Sequence, residues 1–301
     1  MKVGEALSFF RKNMNLTQKS VRPDYMKQPT LSKIENGKQT VPFEEIRDIL
    51  KKAGIGQEEF FSVVELDEEQ NKFRLLFYNC SVNSSDLQSK EKLLSIYYDL
   101  NNRSNLNIQE YSNLVSIKIH LGHRFKEVTP LSKKDMHKIY HYLSNKSFFT
   151  HFDYVLLSDT IFIFDDTQID LLSKAAYPIK YCHLRNQKTR LFVLNGVTNI
   201  ITKYLFERNY LLAERYIDLA KSMDSGVKDY HYHLNIGYLH NMYLYLTTKE
   251  YHYQKVARTF VETLQNMGET LWAEQMESEI NRLLNPEINE YQTNMIDTTD
   301  F

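Results

Sequence analysis

The stretch "LTQKSVRPDYMKQPTLSKIENGK" covers residues 16–38 and predicts two short helices separated by a turn. Thr17 is a good N-cap for the first helix, because its hydroxyl can accept from a backbone N–H that the helix leaves unpaired. Pro23 stops or bends that helix, and Pro29 suits the first turn of the next one, where a missing N–H costs nothing. Gly37 is placed for the left-handed conformation that closes a helix C-terminus.

The second of these helices has two chemically different faces. Leu31 and Ile34 are three residues apart and share one face, whereas Ser32, Lys33 and Asn36 point the other way. A hydroxyl, a cation and an amide are the groups that read base edges and hold phosphates in a major groove. The alternative is an ordinary surface helix whose outer face is only solvated.

Residues 1–64 are predicted to form a five-helix head. Apolar residues repeat at helical spacing in the first helix: Val3, Ala6, Leu7 and Phe10. Two further helices are expected at 42–53 and 57–63. Residues 1–38 carry eight Lys or Arg and only three Asp or Glu, which suits a head that meets a polyanion.

The order "LTQKSV" then "TLSKIENGK" resembles the helix–turn–helix of the phage-repressor-like (XRE/Cro) family. This resemblance implies that the residues in contact with DNA are Gln18, Gln28, Thr30, Ser32, Lys33, Asn36 and Lys38. It also implies an ion pair between Arg11 and Glu35. The chain departs from the family pattern at Arg22, where Ala is usual, and in a shorter turn that contains Pro23 and Tyr25.

The remainder of the chain is predicted to be helical, because breakers are scarce: nine Gly and six Pro in 301 residues. Helical segments are expected near 69–80, 87–102, 108–125, 132–145, 148–160, 166–178, 184–207, 210–223, 228–247, 250–267 and 269–284. "NYLLAERYIDLAKSM" (209–223) aligns with "YQKVARTFVETLQNM" (253–267) at an offset of 44, with Ala213 matching Ala257. A small residue followed three on by an aromatic one is typical of tetratricopeptide-like helix hairpins that stack into a solenoid.

Residues 129–172 resemble the C-terminal region of the Rgg/GadR/MutR family of bacterial regulators. The matching positions are Ile139, Tyr142, Leu143, Phe149, Phe152, Asp153 and Tyr154, with Phe149 and Asp153 in place of the family's Trp and Glu. The resemblance implies a dimeric cytosolic transcription regulator whose repeat domain binds a short peptide pheromone.

Side-chain amides can donate to and accept from a peptide backbone at once. Asn195 and Asn199 are four apart and share a helix face, and Asn241 shares a face with Tyr238. Arg185 and Arg190 could meet a peptide carboxylate. These residues are the predicted peptide site, with hydrogen bonding between neighbouring helices as the alternative role of each Asn.

Other functions find little support. No run of about 18 apolar residues predicts a membrane span. Cys80 and Cys182 lack metal-like spacing, and "HKIYH" (137–141) lacks the Glu of the zinc peptidase motif. No Walker loop, dinucleotide turn or nucleophile elbow is found. We therefore expect neither an enzyme nor a cofactor or metal.

The sequence thus predicts an all-α protein with a repressor-like helix–turn–helix domain at 1–64 and a tetratricopeptide-like repeat domain at 65–301. The expected function is that of a cytoplasmic, homodimeric transcription regulator that binds an inverted-repeat operator in double-stranded DNA under the control of a short signalling peptide. RNA polymerase is a further candidate partner. The rival interpretation is a helical-repeat adaptor that binds a protein partner without recognising an operator.

Overall fold

The computed structural model describes residues 1–64, 66–82, 86–223 and 230–285, with the side chains of 230 and 231 left aside. The chain divides into two compact units, Met1–Arg74 and Leu75–Phe301. Within the described residues all regular structure is helical, as predicted. No helix there is both long enough and apolar enough to cross a bilayer.

The head contains the five predicted helices: α1 (Val3–Asn13), α2 (Gln18–Val21), α3 (Gln28–Glu35), α4 (Phe43–Ala53) and α5 (Gln57–Val63). Their apolar faces meet in one core, in which Leu31, Ile34 and Phe60 are fully buried. Helix α1 packs directly on the end of α3: a Cβ at Gly4 would lie 2.0 Å from the carbonyl oxygen of Ile34. Glycine is therefore required at this crossing.

The turn between α2 and α3 is short, and helix α4 holds it in place. Lys52 Nζ donates to the carbonyl oxygen of Arg22 at 3.0 Å and to Asp24 Oδ1 at 2.6 Å. The hydroxyl of Tyr25 donates to Asp48 Oδ2 at 2.9 Å. These contacts fix a turn whose sequence departs from the family pattern.

The end of α3 closes as its sequence predicts. Gly37 adopts φ +67°, and its N–H donates to the carbonyl of Ile34 at 3.0 Å. The N–H of Lys38 donates to the carbonyl of Lys33 at 2.8 Å. This pair of bonds is a Schellman motif, which satisfies carbonyls that the helix leaves open.

The described part of the body follows with eleven helices near the predicted segments: α6 (Glu68–Val82), α7 (Leu87–Asn102), α8 (Ile108–Leu121), α9 (Lys133–Ser144), α10 (His151–Thr160), α11 (Asp166–Ala176), α12 (Gln187–Phe206), α13 (Tyr210–Ser222), α14 (Tyr230–Thr248), α15 (Tyr251–Asn266) and α16 (Thr270–Leu284). The division between the two units falls within α6. The functional boundary after residue 64 stays a prediction.

Alternate helices of the body form layers. Helix α8 packs against α10, α10 against α12 and α12 against α14, whereas α9 packs against α11. The two segments of the sequence repeat are α13 and α15, each packed against α14 with its alanine (Ala213 or Ala257) fully buried. This arrangement is the two-layer stacking typical of helical repeats.

The family-like segment 129–172 joins α9 to α10 through a buried acid. Asp153 accepts from the N–H and hydroxyl of Thr150, both at 2.7 Å, as a capping box. It also accepts from the Tyr142 hydroxyl at 2.8 Å and lies 3.3 Å from Lys146 Nζ. Aspartate therefore performs a structural role at this position of the segment.

Three helix boundaries correct the sequence prediction, and one of them is the start of α10, which lies at His151 instead of 148. Helix α8 ends at Leu121 instead of continuing to 125. Helix α12 begins at Gln187, because Asn186 caps it by accepting from the Thr189 N–H at 2.8 Å. Arg185, which was expected within this helix, therefore lies before it.

Candidate functional site

The outer face of α3 carries the predicted DNA-contacting residues. Gln28, Lys33 and Asn36 are exposed, and Thr30 and Ser32 are half-buried. Within the described residues, the side chains of Gln28 and Lys33 make no hydrogen bond or ion pair. Lys38 is likewise exposed just beyond the helix. The polar groups of Gln28 and Lys33 on this face are therefore not committed to a partner among the described residues.

The inner side of α3 is tied to α1 by a bidentate ion pair. Arg11 Nε donates to Glu35 Oε1 at 2.6 Å, and Arg11 Nη2 donates to Glu35 Oε2 at 2.8 Å. The two side chains are only 14% and 5% exposed. Arg11 Nη1 also donates to the carbonyl of Leu16, just before α2. The predicted ion pair is thus confirmed.

Gln18 joins the same group. Its Nε2 donates to Glu35 Oε2 at 2.8 Å, so one carboxylate connects α1, α2 and α3. Burial alone would raise the pKa of Glu35, but the hydrogen bonds from Arg11 and Gln18 outweigh burial and lower it. Glu35 is therefore held as a carboxylate, and Gln18 is oriented by it.

Asn36 also makes a contact of its own. Its Nδ2 donates to the carbonyl of Ser32 at 2.7 Å, one turn earlier in α3. The amide oxygen remains on the exposed side chain as an acceptor. Gln18 and Asn36 consequently present less hydrogen-bonding capacity than the sequence suggested.

A second candidate site lies in the body, where α10 and α12 are each accessible along a single stripe. On α10 the stripe contains His151, Val155 and Asp159. On α12, after the first turn, it contains Leu191, Phe192, Asn195 and Asn199. Asn113 and His120 form a half-buried stripe on the neighbouring helix α8. We refer to Asn113, His120, His151, Val155, Asp159, Phe192, Asn195 and Asn199 together as the polar face.

Contacts made by residues of the polar face join the three helices. Asn199 Nδ2 donates to Ser158 of α10, at 3.1 Å to the hydroxyl and 3.3 Å to the carbonyl. The rings of His151 and Phe192 meet edge to face with centroids 5.1 Å apart. Ser116 of α8 donates its hydroxyl to Asp159 of α10. The three helices therefore present one surface.

Two of the predicted peptide-binding residues lie on the polar face. Asn199 uses its amide nitrogen to bind α10, as the alternative interpretation proposed, and keeps its oxygen available. Asn195 is half-buried, and its side chain makes no hydrogen bond within the described residues. Both amides are thus reachable on the one accessible side of α12.

The other four predicted residues are placed elsewhere. Arg185 donates to the carbonyls of Phe149 at 2.8 Å and Lys180 at 3.2 Å, so its guanidinium fastens the segment before α12. Arg190 is nine residues before Asn199 and therefore lies on the opposite side of α12.

Tyr238 and Asn241 are both on α14. The prediction for Tyr238 is corrected, since its side chain is 1% exposed and its hydroxyl donates to Glu279 at 2.9 Å. Asn241 donates to the carbonyl of Gly237 in its own helix at 2.7 Å, and no hydrogen bond among the described residues links it to the polar face.

Sequence reasoning missed Ser116, His120 and Asp159. Asp159 Oδ1 lies 3.7 Å from His120 Nε2, and its side chain is 9% exposed. The available signal was the helical spacing of polar residues in otherwise apolar segments: His151 and Asp159 are eight apart, and Asn113 and His120 are seven apart.

Comparison with solved structures places the fold among bacterial peptide pheromone receptors. A structure described as a bacterial peptide pheromone/receptor complex and its mechanism of gene regulation matches with a TM-score of 0.76 and 18% identity, over 94% of this chain and 98% of that one. The chain therefore has the fold of this class of regulator.

Two particular proteins carry the same fold. PrgX matches with a TM-score of 0.73 and 19% identity, over 93% of each chain. The SHP pheromone receptor Rgg2 of Streptococcus dysgalactiae matches with a TM-score of 0.71 and 15% identity, over 93% of this chain and 99% of that one. The expected resemblance to Rgg-type regulators is confirmed at the level of the fold. No family model and no curated protein matches the sequence.

Proposed function

We propose that this protein is a homodimeric, cytoplasmic transcription regulator that binds operator DNA through its head and a short peptide through the polar face of its body. The observation that carries the DNA-binding part is the geometry of α3. Glu35 ties its inner side to α1 and α2. Gln28 and Lys33 face outward, and their side chains make no hydrogen bond or ion pair within the described residues. A rigid helix with an uncommitted polar face is suited to a major groove.

The peptide-binding part rests on the two amides of α12. Asn195 and Asn199 are one turn apart, a rise of about 6 Å. Alternate residues of an extended peptide repeat at about 6.6 Å. Both amides can therefore meet the backbone of one extended peptide, Asn195 by donating or accepting and Asn199 by accepting through its oxygen. The fold shared with pheromone receptors supports this assignment.

Peptide binding would act by changing the balance between arrangements of the two heads in a dimer. A ligand shifts such a balance only through different affinities for the two arrangements. An inverted-repeat operator would select the arrangement whose recognition helices match its half-site spacing.

DNA binding is tested with a duplex selected from a random pool by the full-length protein, measured by fluorescence anisotropy at two salt concentrations. Lys33→Ala is expected to weaken binding and, if the ammonium meets a phosphate, to reduce the salt slope by about one. Lys51→Ala is the matched control, because Lys51 is exposed in the head but lies on α4. Absent or salt-insensitive binding would favour the adaptor interpretation.

Peptide binding is tested by retention of short random peptides on the full-length protein. Asn195→Ala and Asn199→Ala are expected to reduce retention, whereas Asn266→Ala, on the exposed end of α15, should leave it unchanged. Equal retention by all three variants would remove the polar face as the peptide site.

A further inference from the structure

Asp159 is the acidic residue of the polar face. It is one turn after Val155 on the accessible stripe of α10, and its side chain is 9% exposed. Its carboxylate accepts from the Ser116 hydroxyl and has His120 Nε2 at 3.7 Å from Oδ1. Within the described chain, no lysine or arginine pairs with it.

Within the described residues, the two acids that are most buried, Glu35 and Asp153, each have a permanent cation. Glu35 is paired with Arg11, and Asp153 has Lys146 Nζ at 3.3 Å. A carboxylate removed from water is costly unless a positive charge or several donors replace its hydration. The groups beside the Asp159 carboxylate are the Ser116 hydroxyl and the His120 imidazole. An imidazole is only partly charged near neutral pH. A ligand cation would complete this set.

The position of Asp159 connects it with the proposed peptide contacts. Its neighbour Ser158 accepts from the amide of Asn199, so Asp159 is one residue from the contact that joins α10 to α12. A peptide whose cationic group binds Asp159 would have its backbone directed along Asn199 and Asn195.

We infer that Asp159 is the anchor for a positively charged group of the bound peptide, either its free N-terminal ammonium or a Lys or Arg side chain. This inference rests on the proposed peptide-binding function and deepens it, since it assigns the charge of the ligand and one end of its path.

The experiment uses synthetic pools of short random peptides retained on the full-length protein and identified by mass spectrometry. The pools differ in only two properties: a free or acetylated N-terminus, and the presence or absence of Lys and Arg. The protein is compared with Asp159→Asn, which keeps the shape and can still accept from Ser116. Asp218→Asn is the matched control, because it removes an exposed acid from α13, away from the polar face.

The expected result is that peptides with a cationic group are retained about 10- to 100-fold better than acetylated peptides lacking Lys and Arg, the size of one charge-assisted hydrogen bond. Asp159→Asn should abolish this preference, and Asp218→Asn should keep it. Preference for the free terminus alone would identify the ammonium as the cation, and preference for Lys and Arg alone would identify the side chain.

Equal retention from every pool would overturn the anchor while leaving peptide binding in place. Retention from no pool would overturn the proposed function and the anchor together. The comparison among the pools needs no substitution, so equal retention from all of them would overturn the anchor even if Asp159→Asn fails to fold.

Discussion

Arg11→Met is expected to destabilise the head much more than Glu35→Gln, although both break the same ion pair. Arg11→Met leaves a carboxylate that is 5% exposed with only Gln18 as a side-chain donor. Breaking a buried pair in this way costs about 3–5 kcal/mol. Because Arg11 is itself 14% exposed, we expect the lower end, about 3 kcal/mol. Glu35→Gln still offers an oxygen to Arg11, and should cost about 1–2 kcal/mol.

The double variant Arg11→Met with Glu35→Gln should be more stable than Arg11→Met alone, because no unpaired charge remains buried. The assay is backbone hydrogen exchange of the full-length protein, read from peptides of the head, with peptides of the body as an internal reference. A loss of about 3 kcal/mol corresponds to protection roughly 100-fold lower. Additive effects of the two single substitutions, or less than tenfold loss in Arg11→Met, would refute this account of Glu35.

The pair also predicts a pH dependence with a definite sign. Against the opposing effect of burial, the hydrogen bonds from Arg11 and Gln18 hold the pKa of Glu35 below its ordinary value of 4.5. Its contribution to stability is therefore present above that pH and is lost as the pH falls through the lowered pKa. Head protection that stayed constant on acidification in the unmodified protein, but fell in Glu35→Gln, would contradict this reasoning.

The remaining predictions concern glycines of the head and one hydrogen-bonded pair of the body, Tyr238 and Glu279. Gly4→Ala should cost about 1–3 kcal/mol of head stability, since the new Cβ would meet the Ile34 carbonyl at 2.0 Å; head amide exchange identical to the unmodified protein would contradict this crossing. Gly37→Ala meets no atom within 4 Å but keeps φ +67°, so only about 1 kcal/mol of backbone strain is expected, and a larger loss in the same assay would require another cause. Tyr238→Phe should lower body stability by about 1–3 kcal/mol in a urea titration followed by the single tryptophan, because Glu279 loses its donor. Burial raises the pKa of Glu279, so its stabilising contribution is complete below pH 4.5 and is lost as the pH rises through the raised value; Glu279→Gln should remove that part of the pH dependence, and an unchanged profile would refute it.

The helices could be predicted from the sequence because their signals are local. Caps, breakers and the spacing of apolar residues act within a few positions, and they located every described α-helix. The start of α12 was predicted at 184, three residues too early, because the segment before Asn186 has the pattern of a helix and hides the cap that Asn186 forms. Arg11 and Glu35 are 24 residues apart, and their pairing was predicted only from family resemblance.

The candidate site of the body follows less directly from the sequence, because helical periodicity identifies a face without saying what covers it. Both Tyr238 and Asn195 were chosen by helical spacing. Helix α16 supplies Glu279 to cover Tyr238, whereas the side chain of Asn195 makes no hydrogen bond within the described residues. The sequence did not identify Asp159 as a candidate site residue, because its partner Ser116 lies 43 residues earlier on another helix. Such a contact has no local signature.

The residues that hold α3 in the head are different from those on its outer face, and this has a consequence for how the sequence of the protein can diverge. Leu31, Ile34 and Glu35 hold the helix in the head, whereas Gln28 and Lys33 support nothing else in it. Exchanging the outer pair should therefore leave folding intact. If α3 binds DNA as proposed, the operator that it recognises could change through a few substitutions without compensating changes in the core.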